Sequence, residues 1–225
     1  MQSAPSVFDA IIVDLDGTII DCSARHYACY AEIANRLGLR CLHANRYWAM
    51  KRARASWSAI LAETDDKGDP EQFDREFSAS IEDPAYLRLD TLCVGASVAL
   101  TRLREMTSSL LLATMRREAM RLQEQLAQIG IVSMFDRICC RGSNFVTAKA
   151  AVVRDALPPR AKKLAWVGDT EEDIDAARFV GASAWAIHGG LRERQYLEAQ
   201  KPDLLCETLA ALVAHVSAPN LKATH

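Results

Sequence analysis

Two carboxylates one residue apart, Asp14 and Asp16, stand where the short apolar run 10–13 stops and a Gly-Thr pair begins. A carboxylate in such a place can attack as a nucleophile while a second beside it moves protons. Asp-x-Asp-Gly equally suits an ordinary turn, since Asp and Gly both tolerate turn conformations. The rest of the chain separates these readings. Thr114 follows the apolar run 110–113, Lys149 lies a loop beyond 138–140, and Asp169 follows 164–167 with Asp173 one helical turn further on. Several acids, one hydroxyl and one cation form the inventory that phosphoryl transfer requires. A hard cation such as Mg²⁺ takes oxygen ligands, which carboxylates supply. It holds a nucleophilic carboxylate against phosphoryl oxygens despite their like charge. Thr114 and nearby backbone N–H groups donate to those oxygens, and Lys149 balances their charge. Asp16 is suited to protonate a leaving oxygen and later to take a proton from water.

These residues converge only if the runs before them are neighbouring strands. Short β-branched or leucine-rich runs at 10–13, 110–113, 138–140, 164–167 and 184–187 alternate with helical patterns at 95–106, 116–129, 149–157 and 173–180. That rhythm predicts an α/β fold, a Rossmann-like parallel sheet with helices on both faces, whose strand ends share one edge. Residues 22–89 break the alternation. Ser23 is expected to cap a helix ending near Gly38, a second helical region covers 45–62, and Pro70 opens a third that reaches about Glu82, after a turn at 64–70. The expected organisation is a core of 1–21 and 90–225 with an all-α insertion at 22–89.

With 225 residues, half of them hydrophobic, the chain is long enough for one core plus a modest insertion. A net charge of −2 gives no field to gather nucleic acid or acidic membranes. Seven cysteines without ligand or scaffold spacing read as reduced thiols of a cytoplasmic protein. Residues 1–6 lack a basic stretch followed by a long apolar one, so no signal peptide is expected, and no apolar run reaches membrane-spanning length. The polar tail from Ser217 is expected to fray. Nothing in the sequence separates a monomer from a homodimer.

Taken together, the motifs resemble those of haloacid dehalogenase superfamily phosphatases, in particular phosphoglycolate phosphatase-like members with a small α-helical cap. Asp14-Leu15-Asp16-Gly17-Thr18 is similar to the family's first motif and the run ending in Thr114 to its second. Lys149 fits the third, and Gly168-Asp169-Thr170-Glu171-Glu172-Asp173 fits the fourth. The resemblance implies that Asp14 is the nucleophile and Asp16 the acid and base. It implies Mg²⁺ ligation by the Asp14 side chain, the Asp16 backbone carbonyl and Asp169, with Asp173 bound directly or through water. An acid at Asp16 points to phosphate ester hydrolysis, so the expected substrate is a small phosphorylated metabolite. A phosphomutase of the same superfamily, or a silent binding or regulatory protein on the same fold, are the alternatives.

The chain departs from the family pattern in places. Lys149 precedes Ala150 rather than Pro, and Lys162 and Lys163 sit at the wrong end of a strand. Met115 can offer its backbone N–H to phosphate, whereas Arg116 either adds charge at the site or faces solvent. Glu171, Glu172 and Asp175 suit a helix start without any metal. Cys22 is either a plain small residue or an oxidation-sensitive thiol. In the insertion, Arg25, His26, Lys51, Arg52 and Arg54 are candidates for an anionic substrate, with Lys51 and Arg52 preferred. A solvated basic helix face is the competing reading.

Overall fold

The computed structural model describes residues 7–64, 68–142 and 149–218. The expectations for residues 1–6, for the middle of the turn at 64–70 and for residues 219–225 of the tail lie outside them. Six strands, β1 (Ala10–Asp14), β4 (Leu110–Thr114), β5 (Arg137–Cys140), β6 (Leu164–Gly168), β7 (Ser183–Ile187) and β8 (Leu204–Cys206), form a parallel sheet in the order β5-β4-β1-β6-β7-β8. The period of two along β1 decides its packing. Ile11 and Val13 face one apolar cluster with Leu100 and Leu103 of α6 (Ala96–Met106), Leu122 and Leu126 of α7 (Ala119–Gln128), and Leu209 and Leu212 of α11 (Leu209–Ser217). Ala10 and Ile12 face the opposite cluster with Val153 of α8 (Lys149–Val153), Ile174 and Ala177 of α9 (Glu171–Val180), and Leu197 of α10 (Arg194–Ala199). Burial on both faces is why these strands are nearly continuous apolar runs.

Strand β1 is central, with chain continuing outward on both sides of it. The carboxyl ends of β4, β1 and β6 therefore surround the point where strand order reverses, the position at which open α/β sheets bind ligands.

Among the described residues, five helices lie between two short antiparallel strands, β2 (Ile20–Asp21) and β3 (Thr91–Leu92): α1 (Ser23–Arg36), α2 (Ala44–Arg52), α3 (Trp57–Ala62), α4 (Pro70–Ser80) and α5 (Pro84–Leu87). They enclose their own apolar cluster around Tyr30, Ile33, Tyr47 and Phe73. Some expectations need correction. Ser23 is the first helical residue of α1, not its cap, and its N–H donates to Asp21 Oδ1 at 2.8 Å. The region 45–62 is two helices, because Arg54 turns the chain with a left-handed φ of 59°. The helix expected from Arg116 begins at Ala119, since the backbone N–H groups of Arg117 and Glu118 are held by Glu82 of the insertion, at 3.0 and 3.1 Å. A carboxylate from another part of the chain thus serves the amino end of α7. The strands β2, β3 and β8 were not expected from sequence. Among the described residues no helix is long and apolar enough to cross a membrane.

Candidate active site

The sheet edge holds two adjoining groups of charges. The first is built on Asp14, Asp169 and Asp173, all buried, each offering an oxygen within 4.8 Å of the others. The Lys149 ammonium lies between them, donating to Asp14 Oδ1 and standing 2.7 Å from Asp173 Oδ1. Asp173 is fixed further by Trp166 Nε1 at 3.0 Å and by the Thr170 hydroxyl at 2.6 Å. The Thr170 N–H also donates to it at 3.2 Å, the return half of a capping box at the start of α9. Asp169 Oδ2 accepts the Leu191 N–H at 2.5 Å. Two glycines make this packing possible. A Cβ at Gly17, whose φ is 82°, would collide with the Asp169 carboxylate, and a Cβ at Gly168 would collide with Asp173.

Burial pushes the Asp14 carboxyl well above the ordinary range, with Asp173 and Asp169 adding to the rise and Lys149 opposing it. Burial and Asp173 likewise push Asp169 up, to about 7. Three buried carboxylates against one ammonium leave negative charge uncompensated, and a hard divalent cation is what such an oxygen set fits. Asp14, Asp169 and Asp173 are the residues that could hold it.

The second group surrounds Asp16. Arg116 grips its carboxylate with Nε on Oδ2 and Nη2 on Oδ1, both at 2.7 Å, while Arg25 Nη2 donates to the same Oδ1. Asp90 completes the group, 3.0 Å from Arg25 Nε and 3.3 Å from Arg116 Nη2, and accepts Gln125 Nε2 at 2.8 Å. Burial would raise the Asp16 pKa, yet Arg116 and Arg25 outweigh it and hold the carboxyl far below its usual range. The two groups therefore give neighbouring aspartates opposite proton affinities.

A cavity of about 320 Å³ opens over both groups, within the range for small-molecule sites. Asp14, Asp16, Thr114, Met115, Lys149 and Asp169 line it from the core; Lys51, Trp57 and Phe77 line it from the insertion. Thr114 is buried at the end of β4, its hydroxyl accepting the Arg116 N–H at 3.3 Å. The structure does not bring Arg52 into this cavity; its guanidinium donates to the His188 carbonyl at 2.5 Å. Arg54 and Glu171 form a 2.7 Å ion pair, so Glu171 joins the insertion to the core as well as opening α9. Cys22 is buried, and burial together with Asp16 raises its thiol pKa well above normal. Arg116 adds charge at the site rather than facing solvent, and Arg25, a candidate for an anionic substrate, is instead taken up by Asp16 and Asp90. An arginine two residues past the Thr114 strand end was the available sign for the first.

A family model of haloacid dehalogenase-like hydrolases matches residues 11–187, and the chain belongs to that family. Over 66 residues it is 41% identical to a phosphoglycolate phosphatase of Synechococcus elongatus, a stretch covering 29% of this chain and 30% of that relative. The structure of a haloacid dehalogenase-like family hydrolase from Streptococcus pneumoniae superposes with a TM-score of 0.74 at 22% identity, covering 94% of this chain and 99% of that one. A predicted phosphatase from Clostridium acetobutylicum gives 0.73 at 15% identity, with 94% and 99% covered. At these identities the structures establish a shared fold.

Proposed function

We propose that the chain is a Mg²⁺-dependent phosphomonoesterase that hydrolyses a small phosphorylated metabolite through an aspartyl-phosphate on Asp14. Residues 22–89 serve as its cap, over a core of 1–21 and 90–225. The observation that carries this reading is the buried Asp14, Asp169 and Asp173 cluster around Lys149 at the sheet edge, beside an acid that could serve the leaving group. Seven free cysteines suit a cytoplasmic setting.

In the first step an Asp14 carboxylate oxygen attacks phosphorus, the bond to the leaving oxygen breaks, and Asp16 supplies that oxygen with a proton. In the second, water attacks phosphorus, Asp16 takes the water proton, and the bond to Asp14 breaks to release phosphate and restore both carboxyl groups. Lys149, the Thr114 hydroxyl and the Met115 N–H stabilise the oxygens of the transferring group. Asp14, Asp169 and Asp173 would hold Mg²⁺, which would supply Lewis-acid neutralisation of the phosphoryl charge. Since Arg116 and Arg25 occupy both Asp16 oxygens, its proton transfers require that this grip loosen as substrate enters. Lys51 lines the cavity from the cap and is the residue there retained for substrate contact.

Phosphate release from p-nitrophenyl phosphate and a panel of small esters, with and without Mg²⁺, tests the reading. Release that depends on Mg²⁺ is expected. Absence of release from every ester overturns it, and interconversion of sugar phosphates without net release replaces it with a phosphomutase.

A further inference from the structure

Arg25 and Arg116 converge on Asp16, yet the same two arginines also meet a second carboxylate, Asp90, and they hold the two acids differently. Asp16 accepts three aligned hydrogen bonds from them. Asp90 accepts one, from Arg116 Nη2 on Oδ2 at 3.3 Å, and that donor is already shared with Asp16 Oδ1 at 2.7 Å. The other Asp90 oxygen, Oδ1, stands 3.0 Å from Arg25 Nε, both atoms are buried, and among the described residues neither makes a hydrogen bond. At that distance only alignment is missing. A buried donor and acceptor left unbonded are costly, and a small rotation of the guanidinium would join them. The two carboxylates also differ in freedom. The Asp16 side chain is 18% exposed and lines the cavity, whereas that of Asp90 is 1% exposed and does not. Gln125 Nε2 fixes Asp90 at 2.8 Å and is itself anchored by the Leu87 carbonyl at 3.0 Å.

We infer that Asp90 is a positioning residue for the reaction: it takes over Arg25 and Arg116 as Asp16 lets go of them to move a proton. The inference deepens the phosphatase reading and rests on it. Asp16 carries a proton when it serves the leaving oxygen, so at that moment it offers the two guanidinium groups no charge. Two buried cations then need another anion. Asp90 already stands beside both, with one oxygen free to accept the donors that Asp16 gives up. The handover exchanges hydrogen bonds and moves no proton itself. Because Asp90 lies outside the cavity lining, it acts through the arginines and not on substrate. Its fixed place, held by Gln125, lets the arginines return to Asp16 once the proton has moved.

The test compares phenyl phosphate with p-nitrophenyl phosphate, which differ in how much the leaving oxygen needs a proton. Asp90→Asn should lower kcat/KM for phenyl phosphate by about tenfold or more beyond any loss on p-nitrophenyl phosphate. Gln125→Leu keeps the Asp90 charge but loosens its anchor, so it should show a smaller loss of the same selectivity. That variant decides the matter if Asp90→Asn does not fold. In an Asp16→Asn background the selective loss should vanish, since the handover then serves no proton, and its persistence there overturns the inference. Equal losses on both esters give Asp90 a structural role alone and also overturn it. Wild-type turnover of p-nitrophenyl phosphate but not of phenyl phosphate does the same while leaving the phosphatase reading standing. Wild-type release from neither ester overturns the phosphatase reading, and this inference with it.

Discussion

Asp14, the last residue of β1, and Asp16, two positions on, share a residue type and a place at the sheet edge, yet their surroundings have opposite charge balance. Around Asp14, two further buried carboxylates outnumber the single Lys149, so the group lacks positive charge. Around Asp16, two arginine forks converge on one carboxylate and share Asp90 as a second. The roles of paired carboxylates follow from such surroundings rather than from residue type. In the proposed mechanism, the first group receives a cation and the phosphoryl group, and the second keeps its acid gripped until substrate arrives.

The comparison breaks most visibly at Asp14, the proposed nucleophile. Asp14→Asn should lower kcat/KM by about 10³-fold or more without unfolding the chain, because removing a charge from a crowd of like charges relieves repulsion. Steady-state kinetics and thermal melting check both parts. Next in size, Lys149→Met strips the acidic group of its internal cation. Loss of one partner from a buried pair costs about 3 kcal/mol or more, which denaturant unfolding in EDTA would show. Arg116→Met should cost less stability, about 1–3 kcal/mol, because Arg25 continues to hold Asp16. A loss as large as that of Lys149→Met would contradict the asymmetry.

The smallest effect is a pair of pH slopes with opposite signs. An unfolded Asp titrates near about 3.9. Asp169 is raised to about 7 in the folded chain, so between these values the native state holds a proton that the unfolded state has released. Its contribution is present below the unfolded value and is lost as pH rises toward 7. Asp16 is depressed, so its contribution is present above the unfolded value and is lost as pH falls below it. Unfolding free energies with Mg²⁺ chelated should therefore show Asp169→Asn flattening the slope between pH 4 and 7 and Asp16→Asn flattening the slope below pH 4. Each slope is at most about 1.4 kcal/mol per pH unit for one group.

Much of the acidic group was readable from sequence because each member sits at the end of a run with its own periodic pattern. β1, β4 and β6 are buried on both faces, and their apolar runs bring Asp14, Thr114 and Asp169 to one edge. Arg25 and Arg116 stood out in the sequence as charges, but their pairing with Asp16 and Asp90 was not readable. Arg25 lies on an amphipathic helix, where one buried arginine alters no pattern, and Arg116 is paired with a residue 100 positions away. Three-residue β8 and two-residue β2 and β3 are too short for a period to register. The late start of α7 depends on Glu82, which no local pattern links to residues 117 and 118. Arg52, expected in the cavity from its charge alone, spends that charge on the His188 carbonyl.

Trapping the phosphoryl group tests the division of labour between the two aspartates most directly. With p-nitrophenyl phosphate, whose leaving group needs little protonation, Asp16→Asn should still be phosphorylated but should hydrolyse the acyl phosphate slowly. Acid quench and peptide mass spectrometry should then find one phosphoryl group on the peptide containing residue 14, and none in Asp14→Asn. A phosphorylated Asp14→Asn protein, or a phosphoryl group mapped to another residue, would contradict the account.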